Sequence, residues 1–456
     1  MIYLQKSVYT DTVQQHIEGL INSTTRGLYP GSPEYDNAVK YIVSQFQASG
    51  IQPAGQEFIQ KFSFTSKTLS SEPIVMVNNE TPLILGKDFI IPLTSGSAFI
   101  ENIPMVFIGY GISEPQDKYD EYSNIDVKNK VVVVIREIPS GFITNTAKYQ
   151  NLYYRAYLAK NYGASGIIFV DLNAPTAYFS QNASYVPPTY GISDFPQCIV
   201  SKQGLQSLLP NQTFDLLELQ NDIVKSKYPY TIDLKTSITM MINLTIKREH
   251  SVNVIGYLPA AQEYAQTKKR IYFTASLDSF GKQPPSLFYE SANSSVSGTI
   301  ALLALAKNLA KVPNKRMNDI YFVVFSCKEE GLLGGKDLLD RGEITVDNTL
   351  FMVQLENLGL NSPVITIGGG LDYLDLYQKI EENNPFPNLD LTVAHGGYME
   401  DILFIKKGIP ALYIYTPNFT IYRTLNDTKK TIIPASINRS VQLLFSAFFY
   451  DIFSAQ

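Results

Sequence analysis

The sequence predicts an α/β fold in two domains, with a parallel-rich sheet covered by helices on both faces. Three observations lead there. At 456 residues the chain exceeds the size at which one hydrophobic core usually stops growing, so a second domain or a large insertion is expected. From about residue 240 onward, apolar strand-like runs alternate with helical stretches, the pattern of a sheet with crossover helices. After Gly111, a strand, helix and strand in succession make a small α/β unit of their own.

The elements follow in order. Residues 8–24 and 33–49 carry apolar side chains at helical spacing, including Val13, Ile17, Leu20 and Ile21 in the first and Ala38, Ile42 and Phe46 in the second. The loop "RGLYPGSP" separates them. Short strand-like runs fill residues 56–110, among them "PIVMVNN", "PLILG" and "IPMVFIGYGI". A polar turn then leads to the apolar run 131–135, a helix in "AKYQNLYYRAYLAKNYG" that ends at Gly163, and a strand at 167–170. "FPQCIVSKQGLQSLL" adds a strand and a short helix, and strands return in "SITMMINLTIK" and "HSVNVIGYLP". The last block reads as strand "RIYFTASL", helix "SGTIALLALAKNLAK", buried strand "DIYFVVFSC" and strand "TLFMVQLENLG". In such sheets ligands sit at the carboxyl ends of the strands.

Composition excludes several classes. Apolar residues at 45 % and charged residues at 17 % describe an ordinary globular protein. A net charge of −5 and a pI near 5.4, with "TKKR" at 267–270 as the densest basic spot, argue against nucleic acid and anionic membranes as partners. No apolar stretch is long enough to span a bilayer, and the first twenty residues lack the apolar segment of a secretory signal. Cys198 and Cys327 have no metal-ligand spacing and are expected as buried free thiols. The Asn-x-Ser/Thr triplets at Asn22, Asn182, Asn293 and Asn426 are expected by chance in an Asn- and Ser-rich chain.

Four stretches fall at predicted strand ends: "TASLDSFG", "SANSSVSG", "SCKEEGLLGG" and "VQLENLG", with "GIPALYIYTPNFTIYRTLNDT" near the end. In this order they resemble metallopeptidase family 28, the dizinc aminopeptidase-like fold, whose relatives include glutaminyl cyclases, glutamate carboxypeptidases, the transferrin receptor and nicastrin. Residues 121–208 resemble the protease-associated domain often inserted in that family. The resemblance implies an aminopeptidase-like domain with a mixed, mostly parallel central sheet flanked by helices, at residues 1–95 and 240–456. A protease-associated α/β domain at 96–239 would interrupt it.

The family's metal ligands do not all carry over. Ser276 stands where the family has its first imidazole ligand, Ser294 where a bridging Asp is expected, and Arg423 where the last His is expected. Glu329 and Glu330 match the family's Glu-Glu pair, in which the first is the general base and the second a zinc ligand; Glu356 stands at an Asp ligand position. Asp278 and Asp427 complete the cleft set. Dizinc chemistry needs imidazole and carboxylate donors at about 2.0–2.2 Å and a group bridging two dications. A serine hydroxyl replaces neither donor well. Glu330 and Glu356 alone offer hard oxygens suited at best to weakly held Mg²⁺ or Ca²⁺. At Arg423 a fixed positive charge would repel a dication, since two unit charges at 4 Å interact by about 4 kcal/mol at an effective dielectric of 20. Arg423 is expected to form a bidentate pair with Glu330 or Glu356, or else to point to solvent.

Other routes to catalysis are thin. His16 is read as a surface or boundary residue of the first helix, His250 precedes a strand, and His395 is either a loop histidine or a displaced ligand. Ser276 and Asp278 mimic two members of a serine triad, with no histidine to join them. Without a metal to acidify water, Glu329 has no nucleophile to generate, and its retention is either structural or functional. The expected function is therefore a non-catalytic module that binds a peptide or protein through the old cleft or the inserted domain. No cofactor is expected. The competing readings are an active metal-dependent aminopeptidase with an altered single-metal site, for which zinc is the cofactor, and a purely structural partner in a surface complex. The resemblance implies an extracytoplasmic setting.

Overall fold

The computed structural model describes residues 5–452 except 23, 140, 142, 174–191, 210–214, 285 and 314. The triplet at Asn182 lies outside the described residues. The chain divides into two units: the first comprises Met1–Phe64, Arg248–Lys282 and Phe288–Gln456, the second Thr65–Lys247 and Gln283–Leu287. The sequence reading puts the first boundary at 95/96 and the second at 239/240. The earlier crossing is displaced because Ile74–Val77 and Phe89–Ile90, expected in the first domain, hydrogen-bond into the second unit's sheet, against Ile232–Ile242 and Gln197–Val200.

The first unit is built on a nine-stranded mixed sheet, counted among the described residues. Along most of it the order is Gln52–Pro53, Leu244–Leu258, Asp319–Phe325, Arg270–Ser276, Thr349–Leu355, Ala411–Tyr415, Val364–Gly368 and Asp390–Ala394, and Ile59–Leu69 pairs with the second of these. Arg270–Ser276 lies at the centre, parallel to both neighbours, and Ala411–Tyr415 continues the parallel run. Antiparallel pairs flank that block on either side.

Because strand side chains alternate faces, each central strand feeds two cores. Ile271, Phe273 and Ala275 pack with Ile320, Phe322, Val324, Phe351 and Val353 under the helices Gln5–Leu20, Pro33–Ala48, Ser297–Lys311 and Pro434–Ala447. Tyr272, Val323, Phe325 and Met352 face the other way, onto Leu338, Leu339 and Phe404 of Leu333–Asp340 and Asp401–Ile405. Burial on both faces explains why these strands read as continuous apolar runs rather than alternating ones.

Ser297–Lys311 is buried nearly all round, as expected of a helix in the middle of a layer. Its close approach to the sheet depends on Gly298: a Cβ there would lie 2.1 Å from the Leu355 carbonyl oxygen. That contact sets the first turn of the helix against the end of strand Thr349–Leu355.

His16, read from the sequence as a surface or boundary residue, is buried at 1 % exposure. The helix pair closes over it, and its Nδ1 lies 2.9 Å from the Tyr41 hydroxyl.

The second unit holds an eight-stranded mixed sheet among its described residues. The fully buried Val131–Ile135 sits parallel to Ala98–Phe107 on one side and Gly166–Val170 on the other, with Gln197–Val200 next in parallel. Helices Leu152–Asn161, Lys202–Leu208 and Leu216–Ser226 accompany it. Cys198 in this unit and Cys327 in the first are buried free thiols. No helix among the described residues is long and apolar enough to cross a membrane.

Candidate functional site

All but one of the residues that the sequence singled out for the cleft lie at a carboxyl strand end of the first unit or in the loop that follows. Strand Arg270–Ser276 ends in Ser276 and leads to Asp278. Strand Asp319–Phe325 leads through Cys327 to Glu329 and Glu330, Thr349–Leu355 leads to Glu356, and the loop after Ala411–Tyr415 carries Arg423 and Asp427. Ser294 sits in one π-helical turn, Ala292–Val296, ahead of the long helix. The exits are tight. Ser291, Cys327, Leu332, Asn357 and Arg423 all adopt left-handed φ values between 49° and 61°, a conformation uncommon for residues other than glycine and concentrated at functional sites.

Asp427 pins the Ser294 turn: its two carboxylate oxygens accept the N–H groups of Asn293 at 2.7 Å and Ser294 at 2.9 Å. Asp278 holds the glutamate pair from the opposite side, its Oδ2 accepting the Glu329 N–H at 3.2 Å. Ser276 donates its hydroxyl to Glu400 Oε1 at 3.0 Å, and Gln354 Nε2 bridges the Ser276 hydroxyl and Glu400 Oε2 at 3.3 and 3.0 Å.

The centre of the cluster is a residue the sequence reading passed over. Lys328 Nζ donates to Ser295 Oγ at 2.7 Å, Glu356 Oε1 at 3.0 Å and the Ser294 carbonyl at 3.2 Å, and it lies 3.5 Å from Glu329 Oε1. Glu356 Oε1 also accepts the Tyr422 hydroxyl at 2.6 Å. Arg423 bridges Glu329 Oε2 at 3.0 Å. This corrects the expectation that its salt bridge runs to Glu330 or Glu356, and it excludes the solvent-facing alternative. Glu356 is held by Lys328 and Tyr422 instead, which leaves the guanidinium for Glu329.

None of Ser276, Asp278, Ser294, Lys328, Glu329, Glu330, Glu356, Arg423, Asp427 and Glu400 is more than 4 % exposed, so the electrostatics are those of an interior. Burial pulls the Lys328 ammonium toward neutrality, but the charges of Glu356 and Glu329 outweigh it and hold its pKa above the ordinary lysine value. Arg423 is raised in the same way, burial being overcome by Glu329, Tyr422 and Glu356. Carboxyls without a cation of their own move toward the protonated form. Burial, then the charge of Glu356, lifts Glu400 to about 8. Burial lifts Asp278 to about 6 against the pull of Lys328, and burial with Asp278 and Glu329 lifts Glu330 well above the usual range. Asp427 is raised by burial, against the two backbone N–H groups it caps.

Two buried cations thus stand among the carboxylates, Lys328 beside Glu356 and Glu329 and Arg423 beside Glu329. Among the described residues, no group of three or more His, Cys, Asp or Glu is placed to hold a metal ion. His395 stands apart, 75 % exposed and 2.7 Å from Asp372, as a loop histidine. His250 lies in strand Leu244–Leu258, 3.3 Å from the Ser63 hydroxyl.

Sequence reasoning missed Lys328, Tyr422, Glu400 and Gln354. A signal existed for the first. Several acids at consecutive strand ends with a single arginine make an unbalanced interior, and Lys328 is the nearest cation in the chain to the glutamate pair.

Residues 253–448 match the model of peptidase family M28. Among solved structures, the aminopeptidase from Aneurinibacillus sp. strain AM-1 superposes with a TM-score of 0.70 at 19 % identity, over 98 % of this chain and 95 % of that one. BSAP, a zinc aminopeptidase from Bacillus subtilis, gives 0.67 at 16 % identity, over 98 % and 96 %. A peptidase M28 precursor from Shewanella amazonensis SB2B gives 0.63 at 15 %, over 99 % and 98 %. No curated protein matches the sequence. The chain thus has the fold of a family M28 metallopeptidase, aminopeptidase-like in architecture. At such identities the likeness is one of fold.

Proposed function

We propose that this aminopeptidase-like protein has given up the family's dizinc chemistry and serves as a binding module for a peptide or protein segment. One observation carries the reading. Glu329, the family's general-base position, is engaged on one oxygen by the Arg423 guanidinium and on the other by the Lys328 ammonium. The carboxylate thus faces two fixed cations where the family's base would face a metal-bound water, and those cations in a low-dielectric interior oppose the arrival of dications.

The donor set does not fit two zinc ions either. The positions of the first and last imidazoles and of the bridging carboxylate hold Ser276, Arg423 and Ser294, and the Glu356 oxygen that meets Lys328 also accepts the Tyr422 hydroxyl.

Support for binding comes from the rim. Tyr398 and Phe419 are each 48 % exposed and meet Tyr415 in tilted contacts, at centroid distances of 6.2 and 5.7 Å, while Tyr413 stacks on Tyr415 at 4.7 Å. Phe419 meets Tyr422 at 5.3 Å, and Tyr422 in turn holds Glu356. The reading puts the ligand on this aromatic rim, because the charged residues beneath it are closed to solvent. It also takes the second unit as a protease-associated-like domain and the setting as extracytoplasmic.

The test is zinc content of protein purified without chelator, together with hydrolysis of aminoacyl chromogenic substrates. We expect far less than one equivalent of zinc and no turnover. About one equivalent of zinc, with turnover abolished by Glu329→Gln, would replace this reading with that of an active single-metal aminopeptidase.

A further inference from the structure

The four oxygens around Lys328 Nζ are of three kinds: a backbone carbonyl from Ser294, a hydroxyl from Ser295, and carboxylate oxygens from Glu356 and Glu329, at 2.7–3.5 Å. An ammonium has three N–H donors, and the three nearest oxygens take one each. A carbonyl, a hydroxyl and carboxylates converging on one point also make the donor set by which proteins hold hard cations. The cage is held from outside. Asp427 caps the turn that presents the Ser294 carbonyl and the Ser295 hydroxyl, and Tyr422 holds the Glu356 oxygen in place.

We propose that Lys328 supplies a tethered cation to an oxygen cage. Its ammonium is a permanent, non-exchangeable occupant, and the cage would take a small free cation, an alkylammonium first, if the side chain were removed. The inference rests on the reading that no dizinc centre forms here, and it adds the reason that the cluster stays folded without one. Distance decides the class of occupant: the three nearest oxygens stand 2.7–3.2 Å from Nζ, the range of ammonium hydrogen bonds, and wider than the bonds of about 2.0–2.6 Å that Mg²⁺ or Ca²⁺ requires. Size agrees, since the space vacated by the lysine stem is that of a short alkyl chain.

The experiment uses the full chain. Lys328→Ala is compared with wild type and with Lys328→Met by thermal unfolding, in propylammonium chloride against sodium chloride and tetramethylammonium chloride at equal ionic strength. Lys328→Ala is expected to unfold roughly 5 °C or more below wild type in sodium chloride. Propylammonium should recover much of the loss along a saturating curve, tetramethylammonium should not, and Lys328→Met, whose stem fills the space, should respond to neither. A Lys328→Ala protein as stable as wild type, or one that propylammonium restores no better than sodium, overturns the proposal. If Lys328→Ala does not fold, Lys328→Met is compared with Lys328→Met/Glu356→Gln. Recovery in the double variant supports a cage built around charge, and no recovery overturns it. The outcome separates from that of the functional reading. Failed rescue ends the tethered-cation idea while a metal-free wild type stands, whereas zinc-dependent turnover by wild type ends the functional reading whatever the variants do.

Discussion

Two buried cations, one in each unit, are held in opposite ways. In the second unit, Arg155 is fully buried, yet its guanidinium is spent on the backbone: Nη1 donates to the carbonyls of Tyr110 at 3.1 Å and Ile135 at 2.8 Å, and Nη2 to that of Arg136 at 2.6 Å. Glu121 mirrors it, accepting the N–H groups of Tyr110 and Ile112 at 2.9 and 2.7 Å and the Tyr119 hydroxyl. In the first unit, Lys328 reaches two side-chain carboxylates, one hydroxyl and one carbonyl, Arg423 bridges a carboxylate, and Asp278 Oδ1 and Glu356 Oε2 lie buried without a hydrogen-bond partner among the described residues. A charge that caps strand-end backbone is part of the fold's own bonding. Charges that meet mainly each other, with oxygens left over, mark a cluster whose geometry was set by something other than stability.

The largest expected effect breaks that comparison if it fails. Arg155→Met would take their donor from three carbonyls, two of them buried, and remove the positive charge near Glu121, so a loss of about 3–5 kcal/mol is expected, read as a fall in the denaturant midpoint of the second unit. A loss below about 1 kcal/mol would show that water or neighbouring groups satisfy those carbonyls and that Arg155 and Lys328 do not differ in kind.

How far each region could be read from the sequence follows the same division. The central strands of both sheets were legible because burial on both faces demands unbroken apolar runs, as in "YFVVFSC" and Val131–Ile135. The first unit boundary was not. "PIVMVNN" is a strand in either sheet, and only its pairing with Ile238–Met241, some 160 residues later, assigns it. In the site, motif order placed the strand ends, and donor chemistry singled out Ser276, Ser294 and Arg423. Lys328 was invisible to that reasoning because a search for metal donors passes over a lysine. It follows a left-handed residue, Cys327, a turn that no periodicity announces. Arg423 was given the wrong carboxylate for the same reason: with Lys328 out of the account, Glu356 looked unpaired.

A second prediction concerns a buried group that is neither capped nor paired but discharged. Burial, followed by the charge of Lys307, lowers the pKa of His16 from 6.5 to about 4. The unfolded chain therefore binds a proton more readily than the folded one, so the stability tied to His16 is complete above pH 6.5 and is lost as pH falls toward 4. Between pH 7 and pH 5 the loss is on the order of 2 kcal/mol. His16→Phe should remove this share of the acid slope, and the Tyr41 hydroxyl keeps the Gln15 carbonyl as a partner at 3.2 Å. Asp278 and Glu400, whose pKa values are raised, act with the opposite sign, gaining stability as pH falls. The measurement is thus the difference between variant and wild-type urea midpoints at the two pH values, and an unchanged difference would mean that His16 titrates normally.

The smallest expected effect supplies the surface counterpart to both buried clusters. Asp372 pairs with the His395 ring at 2.7 Å and accepts the Gly396 N–H at 2.7 Å, and these contacts, the backbone bond first, lower its pKa. By sign, the interaction helps the fold above the ordinary aspartate range and weakens as pH falls below it. Both side chains are largely in water, however, with His395 at 75 % and Asp372 at 36 % exposure, so solvent screens the pair and the depressed pKa overstates its worth. Asp372→Asn keeps an acceptor for the Gly396 N–H and removes only the charge. Its denaturant midpoint at pH 7 should therefore move by no more than about 0.5 kcal/mol in stability, the scale against which the Arg155 and Lys328 variants are judged. A loss approaching theirs would mean that exposure does not separate weak ion pairs from strong ones in this chain. The contrast between side-chain and backbone partners would then explain nothing.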